Sequence, residues 1–168
     1  LDKLVVDPKV RHLVDVSTTD LNGDGVMDHA ASNFEGMATP VFICLPDTGC
    51  SDRSVEWGTH ELADTFRWGL GFADFNLDGN LDLIISATYD GRPTDVYLGE
   101  GNGSFLPYHF ESGILEPNGW GLAVADFNQD GKPDVASKTQ LFQNQASGDE
   151  TRWYRFTVVG DETVNRAG

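Results

Sequence analysis

One acidic nine-residue pattern recurs three times along this chain of 168 residues, and the repetition limits the possible folds more than any other feature. Each copy reads D-x-N-x-D-G-x-x-D, and the first aspartates of successive copies are 54 and 52 residues apart. The three loops are Asp20–Asp28 (loop 1), Asp74–Asp82 (loop 2) and Asp126–Asp134 (loop 3). A period of about 50 residues indicates an array of similar structural units.

The side chains of the pattern are those that bind Ca²⁺. Oxygen-bearing side chains at positions 1, 3 and 5 of a tight turn can point at one centre, and glycine at position 6 permits the turn. Hard carboxylate and amide oxygens suit Ca²⁺. We predict about three bound ions, held by side chains at positions 1, 3, 5 and 9 and by the carbonyl at position 7. The ligands are Asp20, Asn22, Asp24, Val26 and Asp28; Asp74, Asn76, Asp78, Asn80 and Asp82; and Asp126, Asn128, Asp130, Lys132 and Asp134.

The flanking sequences distinguish these loops from EF-hands. An EF-hand needs a bidentate glutamate at position 12 and a helix on each side, whereas position 12 here is Ala31, Ile85 or Ser137. Residues 81–88 are short, rich in β-branched side chains and without a helical stripe, so each loop is predicted to join two β-strands. Asx-rich turns without a metal are the alternative. They leave unexplained why mutually repelling carboxylates recur in one register.

The chain is strongly acidic, with a net charge of −16 and a pI of about 4.3, and nine of its 27 acidic residues lie in the loops. Three Ca²⁺ ions would bring the charge to about −10. Such a surface argues against nucleic acid and against anionic membranes as partners. No apolar run is long enough to span a bilayer, so we expect no membrane insertion. The chain starts with neither Met nor a signal peptide, so we expect a mature or excised piece.

The two cysteines, Cys44 and Cys50, enclose a turn that could bring their sulfurs together. A disulfide is the preferred interpretation, and a pair of reduced thiols in a cytosolic protein is the alternative. A disulfide would place the chain in an oxidising compartment. Weak Ca²⁺ loops would stay largely empty in the cytosol, so both features predict a secreted, extracellular or cell-surface protein.

The repeat extends beyond the loops. Residues 68–76 (W-G-L-G-F-A-D-F-N) and 120–128 (W-G-L-A-V-A-D-F-N) are identical at seven of nine positions. Each loop is followed by an apolar strand and then by a second strand, and a G-E-G-N-G-S turn at 99–104 predicts a hairpin. The second strands are predicted at residues 40–44, 94–98 and 139–143. About four short strands per period are typical of a β-propeller blade, so the predicted fold is all-β.

These motifs resemble the FG-GAP/VCBS calcium-binding repeats, the blades that also form the propellers of integrin α-subunits. The resemblance covers residues 68–144 well and residues 12–45 less well, because the first copy lacks the Trp-Gly lead. It implies about three four-stranded blades and Ca²⁺ ligation at the loop positions already named. Residues 152–166 are similar to the start of the ASPIC/UnbV domain, which commonly follows such repeats.

The resemblance divides the chain into four segments. Residues 1–60 are a divergent first repeat that includes the Cys44–Cys50 loop, 61–112 and 113–150 are the second and third repeats, and 151–168 are a C-terminal strand that begins the ASPIC/UnbV-like segment. Propellers need about four to eight blades to close, and three blades leave open edges. We therefore expect a part of a larger propeller, or an assembly of several copies.

The sequence favours a binding or structural module over an enzyme, and we predict no catalytic residues. It has no G-x-S-x-G motif, and His60-Glu61 lacks the second histidine of a zinc-protease motif. The regular spacing of the acids is explained better by calcium than by glycosidase chemistry. We expect a structural or adhesive role, with an extracellular protein, a glycan or other copies of the chain as partner. The alternatives are a subunit of an extracellular filament or matrix held by blade-edge contacts, and an accessory propeller of an extracellular enzyme.

Two further features leave alternatives open. The tryptophans at positions 57, 68, 120 and 153 are interpreted as inter-blade core or, where exposed, as surfaces that stack on sugar rings. Asn102-Gly-Ser104 is a possible glycosylation site on the predicted hairpin tip. The family resemblance also explains that turn without a glycan.

Overall fold

The described residues form twelve β-strands in three antiparallel four-stranded sheets and contain no α-helix. The structure is a computed structural model. It describes residues 13–33, 39–56, 58–59, 67–87, 94–108, 114, 120–138, 140–147 and, for the backbone, 153–157. The prediction of an all-β fold of about three four-stranded blades is confirmed.

Each sheet is one blade, in which consecutive strands pair with each other. Blade 1 contains β1 (Leu13–Thr19), β2 (Asp28–Asn33), β3 (Val41–Leu45) and β4 (Gly49–Asp52). Blade 2 contains β5 (Arg67–Ala73), β6 (Asp82–Ala87), β7 (Asp95–Gly99) and β8 (Phe105–Pro107). Blade 3 contains β9 (Ala123–Ala125), β10 (Asp134–Ser137), β11 (Gln140–Asn144) and β12 (Trp153–Thr157). The strands predicted after each loop correspond to β2 and β3, β6 and β7, and β10 and β11.

Each acidic loop connects the first strand of its blade to the second. The register pairs Thr19 with Asp28 in blade 1 and Ala73 with Asp82 in blade 2, so the hairpin closes at position 9 of the loop. Ala125 and Asp134 pair in the same way in blade 3. The three loops therefore occupy equivalent places in their blades, at the turn between two strands, as predicted.

The hydrophobic core lies between the blades. In the first cluster, Leu21 and Ile43 of blade 1 lie with Leu83 and Tyr97 of blade 2, and all four are nearly or fully buried. In the second cluster, Phe75, Ile84 and Val96 of blade 2 lie with Val135 and Phe142 of blade 3. Because alternate side chains of a strand point to opposite faces, blade 2 contributes one face to each cluster.

Blades 2 and 3 lie close together at a pair of glycines, Gly69 in β5 and Gly121 just before β9. A Cβ atom built on Gly69 would lie 2.7 Å from the Cα atom of Gly121 and 2.7 Å from the backbone nitrogen of Leu122. Backbone atoms cannot move aside as the end of a flexible side chain can. The packing of blade 2 on blade 3 therefore requires a residue without a side chain at position 69.

Replacing Gly69 by alanine is expected to lower the free energy of unfolding by about 1–3 kcal/mol, the usual cost of overpacking. Gly121→Ala is the matched control, since nothing lies within 4 Å of a Cβ atom at the equivalent position of blade 3. Both substitutions restrict the unfolded chain to a similar extent, so their difference isolates the steric clash. Urea unfolding of the two variants measures it, and equal stabilities would contradict the proposed close approach.

The predicted disulfide between Cys44 and Cys50 is present. The two residues lie directly opposite each other on β3 and β4, so the bond closes the outer hairpin of blade 1. Disulfides of this kind are typical of extracellular proteins. Among the described residues, no helix is long and apolar enough to cross a membrane.

Candidate metal centre

Each acidic loop turns through two residues with left-handed backbone. Position 4 is Gly23, Leu77 or Gln129, with φ angles of 74°, 63° and 62°. Position 6 is glycine in every loop, with φ angles of 85°, 92° and 86°. A non-glycine residue is uncommon in this region, so Leu77 and Gln129 need surrounding hydrogen bonds to hold them there.

The aspartate at position 1 supplies two of these hydrogen bonds. In loop 2, Oδ1 of Asp74 accepts the backbone N–H of Asp78 at 3.0 Å, and Oδ2 accepts the N–H of Gly79 at 2.9 Å. The equivalent pairs of bonds are present in loops 1 and 3. In loop 1, the N–H group of Gly25 is the main cause that lowers the pKa of Asp20, against an opposing effect of desolvation. In loop 1 these hydrogen bonds therefore favour the charged form of the position 1 carboxylate.

The side chains at positions 3 and 5 bind each other. In loop 2, the Asn76 Nδ2 group donates to Oδ2 of Asp78 at 2.8 Å, and Oδ1 of Asn76 accepts the backbone N–H of Asp78 at 3.1 Å. Oδ1 of Asp78 in turn accepts the N–H of Asn80, at position 7. Loops 1 and 3 repeat all three bonds. Each oxygen has a second lone pair, so these bonds orient the ligands and leave them able to bind a cation.

The aspartate at position 9 is a buried anchor in all three blades. Asp28, Asp82 and Asp134 have no exposed surface. Oδ2 of each accepts the N–H of position 2 of its own loop, at 2.7–3.1 Å. Oδ1 of each accepts an N–H at the end of the third strand, from Cys44, Gly99 and Asn144 respectively, at 2.8–2.9 Å. One carboxylate therefore ties the loop to two strands of its blade.

Burial raises the pKa of Asp82 to about 6. The N–H groups of Gly99, Phe75 and Asn76 oppose the shift, and the nearby charge of Asp78 adds to it. Burial therefore makes ionisation of Asp82 less favourable than ionisation of an exposed aspartate. A bound cation would favour the charged form and offset this effect.

The predicted ligands differ in exposure. Position 5 is exposed in every loop and position 9 is buried in every loop. Positions 1 and 3 are exposed in loop 3 and partly buried in loop 1, whereas in loop 2 Asp74 is partly buried and Asn76 is buried. In the described part of the chain, the loop aspartates do not form a group of three with oxygens all within 4.8 Å of one another. The set of oxygen donors fits Ca²⁺. Binding of one ion by all of them would require their oxygens to lie closer together than they do here.

A second cluster was not foreseen from the sequence. One ligand atom each of His29, Cys44 and Cys50 lies within 4.8 Å of the others. The two sulfurs are bonded to each other, so neither is the thiolate that metal binding requires. The sequence offered no spacing signal, because the strand pairing of β2, β3 and β4 brings these residues together.

Sequence reasoning also missed the hydrogen bonds that join the blades. Oδ2 of Asp15 in blade 1 accepts the N–H of Leu70 in blade 2 at 3.2 Å. The Asn144 Nδ2 group in blade 3 donates to the carbonyl of Phe75 in blade 2 at 2.8 Å. The residues at the place of Asn144 in the other blades, Cys44 and Gly99, have no amide side chain. A polar residue that occurs in one repeat gives no periodic signal.

Trp68 and Trp120 contact each other across blades 2 and 3, with ring centroids 4.4 Å apart and planes inclined by 34°. Trp120 is nevertheless 67% exposed, so this pair combines inter-blade packing with an accessible aromatic surface. Trp57 and the side chain of Trp153 lie outside the described residues. Asn102 is exposed in the β7–β8 turn, where its Oδ1 accepts the N–H of Ser104 at 2.8 Å. Its glycosylation stays a prediction.

Comparison with known proteins supports the repeat interpretation. Residues 74–137 match the FG-GAP-like repeat. The match begins at position 1 of loop 2 and ends with β10, so it contains loops 2 and 3 complete, while loop 1 lies outside it. FG-GAP repeats are β-propeller-like blades, in agreement with the three sheets.

Two curated relatives share part of this sequence. Phosphatidylinositol-glycan-specific phospholipase D of Homo sapiens is 34% identical over 86 residues, and the protein of the same name from Mus musculus is 40% identical over 84 residues. Each alignment covers 41% of this chain and 10% of the relative. The similarity therefore concerns a stretch about a tenth as long as the relatives themselves.

Proposed function

We propose that this chain is a secreted calcium-binding repeat module that binds or assembles and does not catalyse, with one Ca²⁺ ion in each of its three loops. The observation that carries the proposal is the repeated hydrogen-bond arrangement of positions 1, 3, 5 and 9. It presents the same oxygen donors three times at the same place in the blade. Turns without a ligand have no need to keep four such side chains in one register.

The ion would act on the fold by neutralising charge. In each loop the carboxylates at positions 1 and 5 and the buried carboxylate at position 9 repel each other, and a divalent cation converts that repulsion into attraction. Because position 9 also accepts an N–H from the third strand, the ion would be linked to three strands of its blade. The calcium is therefore proposed as structural.

Calcium titration of the chelator-treated protein by isothermal calorimetry is expected to give about three sites, with dissociation constants of about 10⁻⁴–10⁻³ M as in extracellular modules. Asp78→Ala and Asp130→Ala should each remove one site, and the double variant should keep one. Asp47→Ala is the control, because Asp47 is an exposed acid in the β3–β4 turn, outside the loops. Absence of saturable binding, or an equal loss of binding in the control, would exclude the proposal.

The proposed setting is extracellular, where millimolar Ca²⁺ would fill such sites, and the Cys44–Cys50 disulfide supports it. An extracellular protein or a glycan is the proposed partner. The exposed ring of Trp120 supports a glycan, since aromatic faces stack on sugar rings. Quenching of tryptophan fluorescence by added glycans tests this role.

A second candidate function is that of an accessory propeller of an extracellular enzyme. It is favoured by the similarity to a stretch of phosphatidylinositol-glycan-specific phospholipase D, which is named as an enzyme. Under this proposal the catalytic domain lies elsewhere in a longer protein. The proposed VCBS character of the repeats, and an ASPIC/UnbV-like segment beginning at residue 151, are compatible with either function.

A further inference from the structure

Position 3 of each acidic loop is an asparagine, and the residue that follows it at position 4 differs between the loops. The three pairs are Asn22-Gly23, Asn76-Leu77 and Asn128-Gln129. Each asparagine donates its Nδ2 group to the position 5 carboxylate and accepts the position 5 N–H with its Oδ1 atom. The side-chain amides are thus held alike, and only the one in loop 1 precedes a glycine.

An asparagine followed by glycine readily loses its side-chain amide. The backbone nitrogen of the next residue gives up its proton to water and attacks the side-chain carbonyl carbon, so that a cyclic succinimide forms and ammonia leaves. Water then opens the succinimide at either carbonyl, and the residue becomes aspartate or isoaspartate. A side chain on the next residue hinders the attack, whereas glycine has no side chain and a freer backbone.

The backbone at Gly23 is exposed and unobstructed, since a Cβ atom built on it would meet nothing within 4 Å. Its N–H group donates to Oδ1 of Asp20 at 2.7 Å, and the amide of Asn22 makes two hydrogen bonds with Asp24, each of 3.0 Å. These bonds lie at the surface, where water replaces a broken hydrogen bond at little net cost. Brief opening of the loop therefore frees both of the groups that react.

We propose that Asn22 is a site of spontaneous deamidation, and that Ca²⁺ in loop 1 protects it. The second part rests on the proposed function, because an ion bound by Asp20, Asn22 and Asp24 would hold the loop closed. The same dipeptide occurs at 102–103 and 118–119, outside the acidic loops. Asn22 differs from these in its place among the candidate metal ligands, where its conversion changes the site.

Deamidation would change the interactions of position 3. The Nδ2 group of Asn22 donates to Oδ2 of Asp24. A carboxylate in its place has no hydrogen to donate, so two negatively charged groups would face each other. Aspartate keeps an oxygen ligand, and Ca²⁺ would offset its added charge. Isoaspartate adds a carbon atom to the main chain and displaces the turn, so its formation should abolish the calcium site of loop 1.

Peptide mass spectrometry of the folded protein, sampled during incubation in EGTA, tests the proposal. The conversion of amide to acid is followed at all three loop asparagines in the same sample. Asn22 is expected to react at least tenfold faster than Asn76 or Asn128, and an isoaspartate-specific methyltransferase identifies the isoaspartate product. Equal rates at the three positions, or no reaction at Asn22, would overturn the proposal whether or not the loops bind calcium.

Substitutions at position 4 are the matched controls. Gly23→Leu introduces the residue that loop 2 has there, as Leu77 with left-handed backbone, and should suppress the reaction at Asn22. Gln129→Gly should transfer the reaction to Asn128, which is exposed. Circular dichroism establishes that each variant is folded. The proposal is wrong if Gly23→Leu leaves the rate at Asn22 unchanged, or if Gln129→Gly leaves Asn128 as slow as before.

Calcium separates the two parts of the proposal. Ca²⁺ at a saturating concentration should slow the reaction at Asn22 at least tenfold in the folded protein and have no effect in urea, where the loop is unfolded. Equally fast reaction in Ca²⁺ and in EGTA would retain the deamidation site and overturn its protection, while calorimetry shows independently whether loop 1 binds calcium. In protein aged in EGTA, the fraction of loop 1 sites lost should equal the isoaspartate fraction, and Gly23→Leu should prevent the loss.

Discussion

Removal of Ca²⁺ by EGTA is expected to lower the melting temperature of this protein by about 4–20 °C. At about 2 mM Ca²⁺, a site stabilises the folded state by about 0.6 kcal/mol if its dissociation constant is about 10⁻³ M and by about 1.8 kcal/mol if it is about 10⁻⁴ M, so three sites contribute about 2–5 kcal/mol. For a domain of this size, 1 kcal/mol corresponds to about 2–4 °C. Differential scanning calorimetry in the two buffers measures the shift.

The control for this prediction lies in the loops themselves. A variant with Asp24→Ala, Asp78→Ala and Asp130→Ala lacks position 5 in every loop, and should melt at the same temperature in Ca²⁺ and in EGTA. Mg²⁺ should restore little of the lost stability, because it demands a stricter octahedral geometry than Ca²⁺ and gives up its water reluctantly. A wild-type protein that melts identically with and without Ca²⁺ would contradict a structural role for the ion.

The sequence predicted the elements that repeat. Three loops in one register, each followed by two apolar strands, were sufficient to predict the four-stranded blades and to place each loop between two strands. The disulfide was also predictable, because Cys44 and Cys50 flank a short turn. These features depend on residues close together in the sequence, where turn chemistry and strand patterning determine the structure.

Contacts between residues far apart in the sequence were not predictable in the same way. Asp15 accepts the N–H of Leu70, and Asn144 donates to the carbonyl of Phe75 across blades. Neither contact recurs in the other repeats, so no periodicity reveals it. Phe75 is fully buried against side chains of blade 3, whereas Phe127, at the same position of loop 3, is 45% exposed. The sequences of the two loops do not indicate this difference.

The role of position 9 lies between these cases. Its acidic side chain is predicted as a calcium ligand, which stays a prediction, whereas the structure shows that both of its oxygens accept backbone N–H groups. A ligand at the end of a loop and a buried anchor of the sheet have the same sequence signature, an aspartate before an apolar strand. The two roles predict different effects of substitution in the absence of Ca²⁺.

Replacing Asp82 by alanine is expected to destabilise the protein by about 3–5 kcal/mol even in EGTA. Asp82 is fully buried and accepts the N–H groups of Phe75, Asn76 and Gly99. Alanine would leave buried donors without an acceptor, at about 1–3 kcal/mol for each. Urea unfolding of the calcium-free protein measures the loss.

Two variants of the same loop separate the anchor from the ligand. Asp82→Asn keeps one acceptor oxygen, so its loss of stability in EGTA should be smaller than that of Asp82→Ala. Asp78→Ala removes an exposed ligand and should cost less than about 1 kcal/mol in EGTA, as surface substitutions usually do. In Ca²⁺ all three variants should lose or weaken the loop 2 site. If Asp82→Ala were as stable as Asp78→Ala in EGTA, the aspartate at position 9 would be a ligand alone, and the calcium ion would be what holds the loop to its blade.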